Sequence, residues 1–189
     1  MASREEGRFR VLASGRGGLG VIELGNFIAY YMMAEGRRAS VVPVYGPQTR
    51  GGKVEVMVVG ATGSVDNPIP TSFDALIAVD SPALESLGRV VEGGFIIYNE
   101  PLVKAARNGR VREFSAEGTR IAEELAAGKL REPRVLTSAA LFGAFLAALG
   151  GDAYVENPVR AALAGRPPEI VELNVEAARR GYRSLKGPL

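Results

Sequence analysis

The sequence predicts an α/β fold: one Rossmann-like domain with a mostly parallel sheet and helices on both faces. A short strand pattern runs directly into the glycine-rich segment 15–20 and then into a helical pattern. Uninterrupted apolar runs recur at 75–79 and 94–98, as expected for strands that are buried on both faces. Helical patterns alternate with these runs, which is typical of a parallel sheet.

The first part of the chain predicts a βαβ unit in outline. A strand is expected at 8–13, a helix at 21–34 and a second strand at 39–42. Gly36 follows the helix at a position where a glycine commonly ends one. Segment 45–52 contains three glycines and a proline, so we expect an exposed loop there.

The remaining elements follow in the same alternation. Strands are expected at 54–59, 75–79 and 94–98, with a further edge strand at 110–115. Helices are expected at 82–87, 119–127, 138–149, 156–163 and 169–185. The sequence contains neither an internal repeat nor a linker, so we expect a single domain over 1–189.

The composition excludes several classes of function. Of the 189 residues, 47% are hydrophobic and 23% charged, which predicts a globular protein, and a net charge of +2 does not predict nucleic-acid binding. Without cysteine or histidine, the chain has no thiolate, no usual iron–sulfur ligand and no imidazole base. The sequence has no apolar stretch of the roughly 20 residues that a membrane span needs and no signal peptide pattern. We therefore expect a cytoplasmic protein that binds no membrane.

The segment Gly15, Arg16, Gly17, Gly18, Leu19, Gly20 fits the pattern G-x-G-x-x-G between a strand and a helix. Two interpretations stay open. The backbone N–H groups and Arg16 could bind an anionic group at the start of the helix. Alternatively, the glycines only allow the strand and the helix to pack closely.

A dinucleotide site also needs a carboxylate at the end of the second strand, where it binds the ribose. The corresponding segment 41–45 has no acidic residue. This argues against binding of NAD.

A second candidate is Arg50 with Gly51 and Gly52, because a guanidinium between glycines can approach a carboxylate or phosphate closely. The alternative is an ordinary loop arginine in a salt bridge. Asp80 also ends a strand, but Ser81 and Pro82 follow it, so we expect it to cap the next helix.

Taken together, these segments resemble the gamma subunit of the 2-oxoacid:ferredoxin oxidoreductases, the pyruvate and 2-oxoglutarate ferredoxin oxidoreductase family. Segments 15–20 and 45–52 match that family's G-x-G-G-Q-G and Y-G-P-E-x-R-G-G signatures in order and spacing. Further agreement extends over nearly the whole chain, at Pro68, Ile69, Asp74, Asp80, Gly143 and 174–182.

The resemblance implies a complex that oxidatively decarboxylates a 2-oxoacid, makes an acyl-CoA and passes electrons to ferredoxin. It implies that alpha, beta and delta type subunits carry thiamine diphosphate, Mg and [4Fe-4S] clusters, and that this chain holds none of them tightly. The isolated chain is then expected to be inactive and to have no catalytic residue of its own. Its contribution would be structure and the loops 15–20 and 45–52, which would lie near the active site and the coenzyme A.

Three residues depart from the family pattern. Leu19 stands in place of glutamine, Gln48 in place of glutamate and Ser138 in place of asparagine. Leu19 favours a packing role for its loop, because leucine cannot hydrogen-bond a ligand. Two rival functions stay open: a stand-alone Rossmann-like nucleotide-binding protein, and a purely structural subunit without any ligand.

Overall fold

A computed structural model describes residues 7–46, 51–106, 109–130, 136–151 and 155–189. Within these ranges the strands are β1 (Arg8–Arg16), β2 (Arg38–Tyr45), β3 (Lys53–Ala61), β4 (Phe73–Ala78), β5 (Val90–Asn99) and β6 (Arg112–Ala116). The α-helices in the same ranges are α1 (Val21–Ala34), α2 (Gly118–Ala126), α3 (Thr137–Leu149), α4 (Glu156–Ala162) and α5 (Pro168–Ser184). A 3₁₀ helix occupies Ser81–Arg89, where the sequence predicts a short helix.

The strands form one sheet in the order β2-β3-β1-β4-β5-β6. Strands β1, β4, β5 and β6 pair in parallel, and β3 is antiparallel to both of its neighbours. The predicted α/β class with a mostly parallel sheet is thus confirmed, and β6 lies at the predicted edge. The βαβ outline needs one correction, because β3 lies between β1 and β2, so these two strands do not pair with each other.

The two faces of the sheet are covered unequally. Helices α1 to α5 each contribute to the larger core cluster, which packs on the face that includes Val11 and Ile77. The smaller cluster, which includes Leu12 and Tyr98, is covered by the 3₁₀ helix through Ala83 and by Val103. Helices therefore lie on both faces, with the α-helices on one face and the 3₁₀ helix on the other.

Helix α3 lies at the centre of the larger core. Its residues from Thr137 to Leu146 are all buried, which explains why its sequence is apolar on every side. Phe142 packs against Phe27 of α1, with ring centroids 5.8 Å apart, and Phe145 stacks on Phe95 of β5 at 6.1 Å. No helix in the described part of the chain is long and apolar enough to cross a membrane.

Candidate functional site

The structure brings the two candidate segments together at one edge of the sheet. The carboxyl ends of the parallel strands meet at this edge, and β3 begins there. The N–H of Gly17 donates a hydrogen bond of 3.1 Å to the carbonyl of Gly52, which joins segment 15–20 to the end of loop 45–52. The N–H of Gly46 donates to the carbonyl of Lys53 at 2.8 Å and closes the base of the second loop. Loops at this edge are where open α/β sheets bind ligands.

Two glycines of the first loop adopt backbone conformations that favour glycine. Gly18 has φ of 92° and Gly20 has φ of 72°, both in the left-handed region. Gly15 is required for a different reason, because a Cβ there would lie 2.9 Å from the Cβ of Val79. The loop thus turns sharply while it packs closely on the end of β4.

Leu19 points into the protein and not toward a ligand. Its relative exposure is 6%, and it belongs to the larger core cluster together with Val21. The side chain that replaces the family's glutamine therefore anchors the loop by apolar burial. This supports the close-packing interpretation of the loop.

The first turn of α1 combines two opposing effects on an anion. The dipole of α1 favours negative charge at its amino end. Gly20 is the N-cap residue and has no side chain that could accept a hydrogen bond from the first N–H groups of the helix. Glu23 lies in the same first turn and places a carboxylate there. A cleft of about 500 Å³ adjoins this helix end, with Glu23, Arg166 and Asn174 among its lining residues.

Arg16 contacts a carboxylate of the protein itself. Its Nε lies 3.3 Å from Oδ2 of Asp80, and its side chain stays 57% exposed. Oδ1 of Asp80 accepts a hydrogen bond of 2.7 Å from the N–H of Ser81, so Asp80 caps the 3₁₀ helix as the sequence predicts. The Asp80 side chain is only 12% exposed, so a largely buried carboxylate holds an arginine that itself lies mostly in solvent.

The second candidate segment is only partly visible. Arg50, together with residues 47–49, lies outside the described residues. Gly51 has φ of 67°, in the left-handed region, and Gly52 is buried where it accepts the hydrogen bond from Gly17. The glycines of this segment therefore have a clear backbone role.

A buried charge cluster beside this edge was not predicted from the sequence. Glu55 of β3 is 9% exposed and accepts a hydrogen bond of 2.6 Å from Oγ of Ser86. Nη1 of Arg89 lies 2.9 Å from its second oxygen, and Nζ of Lys53 lies 3.1 Å from the first. Burial raises the pKa of Glu55, but the hydrogen bonds from Ser86 and Lys53, the charge of Lys53 and the hydrogen bond from Arg89 together bring the pKa below its ordinary value. The cluster ties the 3₁₀ helix to β3, and the alternation of polar and apolar residues over 53–57 was the sequence signal for it.

Asn99 at the end of β5 is a second residue that sequence reasoning missed. Its side-chain amide donates to the carbonyl of Val79 and to Oγ1 of Thr119, both at 2.9 Å, and accepts from the N–H of Thr119 at 3.1 Å. These bonds join the ends of β4 and β5 to the start of α2. All of these polar groups are partnered within the protein, so Asn99 stabilises the edge on which the loops lie.

Comparison with known proteins places this architecture in a family. A family model described as pyruvate ferredoxin/flavodoxin oxidoreductase matches residues 10–184. The ketoisovalerate oxidoreductase subunit VorA of Methanothermobacter marburgensis is 32% identical over 128 residues, which are 67% of this chain and 27% of VorA. The 2-oxoglutarate synthase subunit KorC of Methanothermobacter thermautotrophicus is 33% identical over 130 residues, which are 63% of this chain and 67% of KorC. The chain spans about a third or less of the VorA proteins it matches, since the share is 35% for VorA of M. thermautotrophicus.

Solved structures share the whole fold. The gamma subunit of a keto/oxoacid ferredoxin oxidoreductase from Geobacter sulfurreducens has a TM-score of 0.77 at 27% identity, over 94% of this chain and 96% of that one. The 2-oxoglutarate:ferredoxin oxidoreductase of Magnetococcus marinus matches in fold with a TM-score of 0.78 at 18% identity, over 95% of this chain and 31% of that one. On the family match over residues 10–184, the chain belongs to the pyruvate ferredoxin/flavodoxin oxidoreductase family.

Proposed function

We propose that this chain is the gamma subunit of a 2-oxoacid:ferredoxin oxidoreductase complex and that its domain occupies 1–189. The complex would decarboxylate a 2-oxoacid such as pyruvate or 2-oxoglutarate oxidatively, form an acyl-CoA and pass electrons to ferredoxin. The observation that carries the proposal is the family match over 10–184 together with full-length likeness to a solved gamma subunit. We place the complex in the cytoplasm, as the sequence predicts.

The residues of this chain fit a subunit that leaves the cofactors to its partners. Iron–sulfur clusters need cysteine thiolates as their usual ligands, and the chain has neither cysteine nor histidine. Within the described residues, no group of three acidic side chains is arranged to hold a metal ion. The resemblance to the family implies that thiamine diphosphate, Mg and [4Fe-4S] clusters reside on alpha, beta and delta type subunits, and the composition of this chain agrees with that division.

The glycine loops would form the contact surface for those subunits. Gly15, Gly17 and Gly52 are held by backbone contacts within the chain, which makes the two loops one continuous unit. Exposed Tyr45 and Val44 lie beside this unit, with relative exposures of 63% and 40%. Exposed apolar side chains next to a rigid backbone turn are suited to a protein interface.

We extend this proposal to coenzyme A. Arg16 and Arg50 lie in the two loops, and a guanidinium can bind a phosphate through paired hydrogen bonds. Within the described part of the chain, Arg16 forms an ion pair with Asp80 alone, and its side chain is 57% exposed, so it can turn toward a phosphate. Gly18, Gly20 and Gly51 would let the phosphates approach the backbone.

Anaerobic affinity purification of the tagged chain from its native cells tests the assembly. The proposal predicts that cysteine-containing subunits with bound iron, sulfide and thiamine diphosphate are recovered in constant proportion to the chain. The stand-alone nucleotide-binding alternative predicts instead that the chain is recovered alone and binds NAD, FAD or ATP in an equilibrium titration. That result would overturn the proposed function.

A further inference from the structure

A second cleft lies at the amino ends of the parallel strands, at the opposite edge of the sheet from the glycine loops. It has a volume of about 370 Å³ and is bounded by the starts of β1 and β6 and by the last turn of α3. Arg8, Arg37 and Arg112 line it, together with Asp74, Phe95 and Gly7. Arg8 is already paired, since its Nη2 lies 3.4 Å from Oδ2 of Asp66 outside the cleft.

The carboxylate of Asp74 is already engaged by a fourth arginine. Nε of Arg10 donates to Oδ2 of Asp74 at 3.1 Å, and Nη2 donates to Oδ1 at 3.3 Å. The backbone N–H of Arg10 adds a bond of 2.8 Å to the same side chain. Asp74 is 5% exposed and its charge is compensated by Arg10, so Arg37 and Arg112 leave the cleft with a net positive charge.

Two of the lining arginines are held in place without a carboxylate. The guanidinium of Arg112 lies over the ring of Phe95, 5.6 Å from its centroid. Nη1 of Arg37 donates to the carbonyl of Gly7 at 3.1 Å. Over the described ranges, neither arginine forms an ion pair, so each has donors left for a ligand.

From this arrangement we infer that the cleft is a binding site for a small oxyanion, a free compound that carries a phosphate or carboxylate group. Planar guanidinium groups bind both groups through paired, charge-assisted hydrogen bonds. A volume of about 370 Å³ is near the lower end for small-molecule sites and fits one compact anion. The inference does not depend on the proposed oxidoreductase function, because it uses the opposite edge of the sheet.

A purely structural role for these arginines is the alternative. The α1 and α3 helices end near this edge, and arginines there can stabilise helix carboxyl termini. In that case Arg112→Gln and Arg37→Gln would lower the melting temperature equally with and without an anion. If the cleft is a binding site, an added anion raises the melting temperature of the native chain, and the same substitutions reduce that increase.

The test is a titration of the full chain with inorganic phosphate at an ionic strength held constant with sodium chloride. Chemical shifts of the backbone amides in NMR spectra monitor the binding. We expect saturable shifts at Gly93 and Arg112 and a dissociation constant about tenfold higher in Arg112→Gln and in Arg37→Gln, since each loses charge-assisted hydrogen bonds. Arg183→Gln, which removes an exposed charge outside the cleft, should bind phosphate as the native chain does. Arg112→Lys keeps the charge but loses the planar guanidinium. Its dissociation constant for phosphate should lie between those of the native chain and Arg112→Gln.

Three results would overturn the inference. Phosphate could produce no shift beyond that of chloride, or the shifts could appear at 17–20 and leave the cleft unchanged. Binding could also persist in the double variant of Arg37 and Arg112. If a glutamine variant does not fold, Arg112→Lys decides the question, because unaltered affinity in that variant contradicts the need for a planar guanidinium.

Discussion

Gly143 of α3 packs directly against the main chain of Ala178 of α5, since a Cβ on Gly143 would lie 1.8 Å from the carbonyl oxygen of Ala178. The relationship is reciprocal, because a Cβ on Gly181 of α5 would lie 1.8 Å from the carbonyl oxygen of Ala140. The two helices therefore touch backbone to backbone at two points. This contact fixes the position of α5 over the central helix of the larger core.

Gly143→Ala should destabilise the protein strongly, because the added methyl group meets a backbone atom that cannot turn aside. Overpacking of this kind costs about 1–3 kcal/mol, and a rigid helix pair places the cost at the upper end or beyond. Chemical denaturation with a constant m-value would measure the loss. An unchanged midpoint would contradict the close helix contact.

Gly88→Ala is the matched control. A Cβ there meets nothing within 4 Å, and Gly88 does not have a positive φ. Its stability should change by no more than about 0.5 kcal/mol, as at ordinary surface positions. If Gly88→Ala lost as much stability as Gly143→Ala, the loss would come from replacing glycine by alanine and not from the contact between α3 and α5.

The regular elements of this fold were largely predictable, because each one has a strong local pattern. Helix α1 begins and ends as predicted, and the continuous apolar run of β4 gave its burial on both faces. The position of β3 was not predictable. It depends on pairing with β1, a strand far away in the sequence, and no local pattern encodes that pairing.

The candidate site was predictable only where glycine spacing carried the information. The pattern of 15–20 indicated a tight turn, and the turn is confirmed by the φ values of Gly18 and Gly20. The contact of Gly17 with Gly52 could not be derived, since it arises from the sheet order. Glu55 and Asn99 were missed because Ser86 and Arg89, which contact Glu55, and Thr119, which contacts Asn99, lie far from them in the sequence.

Leu19→Gln, which restores the residue usual in the family, should destabilise the chain. The leucine side chain is buried among apolar residues, so an amide there loses its hydrogen bonds to water. Burial of an unpaired amide costs about 1–3 kcal/mol in proteins. Thermal unfolding of the isolated chain measures this effect.

Leu19→Met serves as the control, because it keeps the volume and the apolar character and should cost less than about 1.5 kcal/mol. The close-packing interpretation fails if the glutamine variant is as stable as the native chain and lowers the KM for coenzyme A in the complex. That pair of results would assign the side chain at this position to ligand binding.

Glu55→Gln should reveal a pH-dependent contribution to stability. The folded pKa lies below the ordinary value of 4.5, so the carboxylate stabilises the fold fully above that pH, and the contribution is lost as the pH falls through the folded pKa. At neutral pH the substitution should cost about 1.5–3 kcal/mol, as for hydrogen bonds to a charged group. Urea denaturation at several pH values should show the gap between native and variant proteins narrowing below pH 4.5.

Glu85→Gln provides the comparison for that experiment. Glu85 contacts the same Lys53 at 3.2 Å, but its side chain is 74% exposed. Its loss should change stability by less than about 1 kcal/mol. A gap between native protein and Glu55→Gln that stays constant below pH 4.5 would contradict the role assigned to Glu55.

Arg50→Ala should raise the apparent KM for coenzyme A while the complex stays assembled. Loss of charge-assisted hydrogen bonds to a phosphate corresponds to about a tenfold rise or more. Arg50→Lys, which keeps the charge, should give a smaller rise. If KM stays unchanged in both variants, loop 45–52 has a structural role only, and its glycines alone matter.

The central claim is that the chain acts as a non-catalytic subunit of a 2-oxoacid-oxidising complex, and an activity measurement tests it most directly. The complex purified anaerobically through the tagged chain is supplied with several 2-oxoacids, and viologen reduction is followed with and without coenzyme A. The account predicts reduction that requires both a 2-oxoacid and coenzyme A, and none from the chain alone. The account would be contradicted by a preparation that contains the partner subunits but fails to reduce viologen with each of the 2-oxoacids supplied, with or without coenzyme A.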